Sequence, residues 1–226
     1  MAHRFKAILF DLDGTLIDSV HDLCATMNSL LAGMGRRPVS VAEMKDCTGD
    51  GLKVMLDKAF RLTGAPIEPA QIEPGMKRFL EIYEQVIPRP TCIFPGIMDF
   101  LRRQKDAGVK MAVVTNKHES ASRRLLRQLE LTQYFSSVIG GDSCAERKPH
   151  PLPLLTALEQ IGEKPDHAVM IGDSPNDVLA ARAAGIAVLA INSGYTRNWP
   201  DDIQPHAWCG GAEEWQKALA SADFSG

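Results

Sequence analysis

The chain has no long apolar run, no cysteine pair and no excess of charge of one sign, and each absence removes a class of function. The longest apolar stretches, such as residues 187–191, are far too short to cross a bilayer, so no membrane span is expected. Residues 1–5 place no apolar segment behind a basic start, so no signal peptide is expected. Lys and Arg number 25 against 28 Asp and Glu, a formal net charge of −3, which argues against a nucleic-acid binder that works by neutralising phosphates. The five cysteines (Cys24, Cys47, Cys92, Cys144, Cys209) are scattered and odd in number, without a C-x-x-C pair. They suggest neither a disulfide framework nor a zinc site, and isolated thiols fit the reducing cytoplasm. Internal repeats and low-complexity tracts are also missing.

What is present is a chain of 226 residues, 45% hydrophobic, long enough to bury a large core without staples. Short apolar runs at residues 6–10, 110–114, 138–140, 168–172 and 186–191 read as buried strands. Helical spacing fills the gaps: Ile97, Phe100 and Leu101; Leu125, Leu126 and Leu129; Leu154, Leu155, Leu158 and Ile161, closed by Gly162; and an Ala-rich run at 178–184, closed by Gly185. This alternation predicts an α/β fold, a parallel sheet with helices on both faces. Residues 18–88 break the rhythm with three apolar stripes at helical spacing only: Leu23 to Met34, Leu52 to Phe60, and Met76 to Tyr83. Ser40 and Glu43 fit a capping box. Roughly 70 helical residues are too many for a crossover and predict a small helical domain inserted through two connections. Pro88 and Pro90 restrict the second of them.

The chemistry gathers where strands end. Asp11-Leu12-Asp13-Gly14-Thr15 follows the first strand, and ligands of open α/β sheets bind at that end. Two carboxylates two residues apart share one side of an extended chain and repel unless a cation or a shared proton intervenes. Gly172-Asp173-Ser174-Pro175-Asn176-Asp177 ends another strand and opens the Ala-rich helix. Asp173 and Ser174 also suit a helix N-cap, but two acidic clusters at two strand ends suit a hard cation such as Mg²⁺. Thr115-Asn116, after the strand at 110–114, offers a hydroxyl and backbone N–H groups ahead of a helix, an arrangement that cradles phosphate. Lys148 lies in a loop stiffened by Pro149 and Pro151 and would offset the carboxylates' repulsion.

These four segments, in this order, resemble the haloacid dehalogenase-like hydrolase superfamily across about 195 residues. Asp11 to Thr15 match its D-x-D-G-T motif, Thr115 its strand-ending Thr or Ser, Lys148 its lysine in a K-P-x-P setting, and Gly172 to Asp177 its G-D-x-x-x-D. Within the family, the surroundings of Asp18-Ser19, Thr115-Asn116-Lys117, Gly140-Gly141-Asp142 and Lys148 to Pro151 look most like phosphoglycolate phosphatases.

The resemblance implies a Rossmann-like core at residues 1–17 and 92–226 and a helical cap at 18–91. It implies a Mg²⁺-dependent phosphatase for a small phosphoester such as 2-phosphoglycolate, working through an aspartyl-phosphate. Asp11 would be the nucleophile and Asp13 the general acid and base. Asp11, Asp13 (by its backbone carbonyl) and Asp173 would hold the metal, with Asp177 acting through a water or Lys148. Thr115, Asn116 and Lys148 would bind phosphoryl oxygens, and the cap loop with Gly49, Asp50 and Gly51 would read the substrate. Asp13 stands where true dehalogenases of the family carry Tyr, and the loop at 48–52 lacks the basic signature of the family's mutases. Pyrophosphatase, sugar-phosphate phosphatase or mutase, and a phospho-acceptor signalling domain remain the competing readings.

Overall fold

The computed structural model describes residues 5–86, 91–192, 194–196 and 199–221. Six parallel strands make the main sheet: β1 (Ala7–Phe10), β4 (Lys110–Val114), β5 (Ser137–Ile139), β6 (Ala168–Gly172), β7 (Ala187–Ile191) and β8 (Ala207–Cys209). Their order is β5-β4-β1-β6-β7-β8. Apart from two short strands outside this sheet, that is the doubly wound order, with β1 at its centre.

The central strand explains the core. β1 is paired on both edges by β4 and β6 and covered on both faces by helices, so all four of its residues are buried. Ile8 and Phe10 join one apolar cluster with α5 (Ile97–Asp106), α6 (Glu119–Gln128) and α9 (Ala212–Ser221). Ala7 and Leu9 join the other with α7 (Leu152–Ile161) and α8 (Pro175–Ala183). On the first side Trp215 is buried and packs against Phe10 and Phe100, with ring centroids 6.1 and 5.2 Å away. Leu155, assigned to the apolar stripe of α7, instead faces solvent at 39% exposure.

Between β1 and β4 the chain forms α1 (Val20–Ala32), α2 (Val41–Cys47), α3 (Leu52–Thr63) and α4 (Pro69–Val86). Ser40 and Glu43 close the capping box that starts α2. The chain enters and leaves these helices through a two-stranded antiparallel ribbon, β2 (Ile17–Asp18) with β3 (Cys92–Ile93). Two-residue strands carry too little periodicity to be read from sequence. The Tyr195 hydroxyl pins the entry, accepting from the N–H groups of Ser19 (2.7 Å) and Val20 (3.0 Å) and donating to Asp18 (2.9 Å). Buried Asp22 accepts from the hydroxyl and N–H of Thr91 at the exit. Pro88 and Pro90 lie outside the described residues. No helix among the described residues is long and apolar enough to cross a membrane.

Candidate active site

Three adjacent strands end in register, and this brings the site together. Phe10 aligns with Val113 of β4 and Ile171 of β6, so Asp11, Thr115 and Asp173 emerge along one edge of the sheet. The ladder runs one residue past the strands: Asp11 N–H donates to Ile171 (2.9 Å) and Thr115 N–H to Ile139 (2.9 Å). Asp11, Asp173 and Asp177 are buried, and each offers an oxygen within 4.8 Å of the others. Gly14, at φ +87°, lets the turn press against Asp173, where a Cβ would sit 2.4 Å from Oδ2.

Lys148 holds the carboxylates apart. Its ammonium donates to Asp11 Oδ1 (2.9 Å), Asp177 Oδ1 (2.6 Å) and the Val114 carbonyl (2.6 Å). That uses all three of its donors. A phosphoryl oxygen therefore gains Lys148 only by sharing or displacing one of these bonds, so the lysine's first task is the carboxylates. Asp177 Oδ2 accepts from the N–H (3.0 Å) and hydroxyl (2.7 Å) of Ser174, the N-cap of α8, so both its oxygens are engaged by the protein. Asp173 accepts from Tyr195 N–H (2.7 Å) and the Thr15 hydroxyl (3.2 Å). Burial pushes the Asp11 carboxyl up to about 6, with the Asp177 charge adding to it and Lys148 opposing. Burial, then the charges of Asp11 and Asp177, push Asp173 up to about 8.

Asp13 carries a partner that motif reading passes over. Its Oδ1 accepts from the Ser19 hydroxyl, and both its oxygens lie 3.1 Å from Lys117 Nζ. The Lys117 side chain is 8% exposed and sits 4.8 Å from the centre of the Tyr83 ring. Burial pulls its ammonium down, but Asp13 and Tyr83 outweigh that and hold it above the ordinary lysine value. Burial pushes the Tyr83 hydroxyl up to about 12. Lys117 directly follows the Thr115-Asn116 pair and Tyr83 lies in the third apolar stripe, so adjacency to a motif was the available signal.

The helix expected directly behind Thr115-Asn116 begins at Glu119, and its first N–H is taken by Asp142 (2.7 Å). A loop, not the helix end, therefore faces the site. In it the Thr115 hydroxyl accepts from Lys117 N–H (3.2 Å), which leaves the hydroxyl proton to donate. The Asn116 amide donates to the carbonyls of Gly49 and Lys148, both at 3.0 Å, tying the α2–α3 loop to the sheet edge. Asp50 is turned away: its carboxylate is held by Lys58 and Asn176, each at 2.7 Å. Gly49 and Gly51 do line the cavity of about 60 Å³ that lies over Asp11, Asp13 and Thr115. Leu23, Leu52, Met55, Phe79 and Tyr83 supply its apolar wall.

The donor set fits a divalent metal. Asp11, Asp13, Asp173 and Asp177 face two ammonium groups, Lys117 and Lys148, so full ionisation of the four carboxyls leaves two negative charges for a cation to balance. All the donors are oxygens, as Mg²⁺ requires.

The sequence model described as haloacid dehalogenase-like hydrolase matches residues 8–191. The chain belongs to this family. Among curated relatives, phosphoglycolate phosphatase 1 of Pseudomonas aeruginosa is 39% identical over 199 residues, covering 86% of this chain and 72% of its own. Phosphoglycolate phosphatase of Xanthomonas campestris pv. campestris is 40% identical over 203 residues, 90% of this chain and 89% of its own. A crystal structure described as a predicted phosphoglycolate phosphatase from Haemophilus somnus superposes with a TM-score of 0.86 at 29% identity, covering 95% and 98% of the two chains. The doubly wound sheet is thus that of a haloacid dehalogenase-like hydrolase.

Proposed function

We propose that this hydrolase is a cytoplasmic, Mg²⁺-dependent phosphomonoesterase for small phosphorylated metabolites, 2-phosphoglycolate first among them. The names of its relatives support the substrate, and five free cysteines support the compartment. One observation carries the reading: Asp11 lies buried with one oxygen fixed by Lys148, and Asp13 lines the same cavity two residues on.

In this reading Asp11 attacks phosphorus, a bond from its carboxylate oxygen forms, and the bond from phosphorus to the ester oxygen breaks. Asp13 gives its proton to the departing alkoxide. In the second half Asp13 takes a proton from water, whose oxygen bonds to phosphorus as the Asp11 bond breaks. Phosphate leaves, and Asp13 holds the proton for the next turn. The Thr115 hydroxyl and the Asn116 N–H bind phosphoryl oxygens, and Lys148 keeps Asp11 oriented through its bond to Asp177. Asp11, Asp173 and the Asp13 main-chain carbonyl would hold Mg²⁺, with Asp177 acting on the site through Lys148. When bound, the ion would supply positive charge that offsets the repulsion of the carboxylates and the phosphoryl group. Residues 18–91 act as a cap over the core at 1–17 and 92–226, and the Gly49 and Gly51 backbone closes the cavity.

The test is phosphate release from a panel of 2-phosphoglycolate, sugar phosphates and pyrophosphate. The expected result is Mg²⁺-dependent hydrolysis led by 2-phosphoglycolate, abolished by EDTA, restored by Mg²⁺ and not by Ca²⁺. Full activity in metal-free buffer contradicts it.

A further inference from the structure

We propose that Lys117 and Tyr83 form a specificity subsite for a second anionic group on the substrate, a carboxylate on the carbon next to the ester oxygen. This rests on the phosphomonoesterase reading and narrows its substrate class. The leaving oxygen must meet Asp13, and Lys117 Nζ stands 3.1 Å from both Asp13 oxygens. Two successive hydrogen bonds put the ammonium within about 6 Å of that oxygen, the reach of a carboxylate one carbon away.

The subsite has two donor groups, one of them shared with Asp13. Lys117 is a cation set beside the apolar wall of Leu23, Leu52, Met55 and Phe79. The Tyr83 hydroxyl is buried beside the Lys117 ammonium, which can only donate to it, and no acceptor for its own proton is found among the described residues. A buried hydroxyl whose proton meets no acceptor is costly. A substrate carboxylate accepts from the Tyr83 hydroxyl and from the Lys117 donor that Asp13 leaves over. His118 also lines the cavity, but Asp142 (3.1 Å) and Ser120 (3.3 Å) hold its two ring nitrogens. A site built to hydrogen-bond a group rejects the analogue that lacks it.

The experiment compares kcat/KM for 2-phosphoglycolate and for ethyl phosphate, its neutral counterpart, in wild type, Lys117→Met and Tyr83→Phe with Mg²⁺. Wild type is expected to prefer 2-phosphoglycolate by at least a hundredfold. Lys117→Met is expected to cut that ratio at least tenfold, mainly through KM for 2-phosphoglycolate, and Tyr83→Phe severalfold in the same direction. Tyr83→Phe keeps the ring and its packing, so it decides the matter should Lys117→Met fail to fold. Equal wild-type rates on the two esters, or an unchanged ratio in a folded variant, overturn the subsite and leave the phosphomonoesterase reading standing. No hydrolysis of either ester by wild type overturns both.

Discussion

Lys148 shows how one residue can organise a site without touching the substrate first. With 3% of its surface exposed, it directs three donors at Asp11, Asp177 and the Val114 carbonyl. Removing it leaves Asp11 and Asp177 facing each other without a cation and frees Asp11 to rotate. Lys148→Met is therefore expected to lower kcat at least about a hundredfold in a phosphate-release assay, the usual loss for a preorganised charge-stabilising donor. Lys148→Arg should not rescue it, because a planar guanidinium cannot place three donors on three separate oxygens at this spacing. An arginine variant with near wild-type kcat would show that charge alone is needed there. The sequence placed Lys148 in a proline-stiffened loop near the acidic groups, but not its direction: a phosphate contact and a carboxylate contact look the same from a motif. Asp50 is the matching case, since its ties to Lys58 and Asn176 depend on residues 8 and 126 positions away.

At the scale of elements, the α2–α3 loop fastens the helical unit to the sheet edge through Asn116. Gly49 sits at φ +108°, a conformation that costs any side chain, and its carbonyl takes the Asn116 amide at 3.0 Å. A β-branched residue there strains the backbone and moves the carbonyl off Asn116. Gly49→Val should lower kcat/KM for 2-phosphoglycolate at least about tenfold, equivalent to roughly 1.4 kcal/mol, and lower that for a bulky aryl phosphate much less. Equal losses on the two substrates would make the loop a structural turn only. The long elements were legible because their apolar periodicity is sustained: β1, β4 and β6, the stripes of α1, α3 and α4, and the capping box at Ser40. The β2–β3 ribbon was not, because it rests on pairing between Asp18 and Cys92, far apart in the chain. Nor was the late start of α6, because the loop from Thr115 to His118 has no breaker residue to announce it.

For the whole molecule, the acidic cluster links metal binding, pH and stability. Asp11 and Asp173 have native values of about 6 and about 8, above the ordinary carboxylate value of 3.8. The native state thus binds their protons more tightly than the unfolded chain does. That contribution to stability is complete below about pH 4 and is lost as pH rises through about 6 and then about 8. In EDTA the melting temperature is expected to fall across this window, and the rise produced by Mg²⁺ should grow across it as protons cease to compete for the same oxygens. A Mg²⁺ shift that is equal at both ends of the window would place the ion elsewhere. The central claim is that Asp11 itself carries the phosphoryl group, and the most direct measurement is mass spectrometry of protein acid-quenched during turnover of 2-phosphoglycolate. A phosphoryl adduct is expected on the peptide containing Asp11, present in wild type with Mg²⁺ and absent from Asp11→Asn, which should also lose turnover. An adduct on another residue, or turnover by Asp11→Asn above a few per cent of wild type, would contradict it.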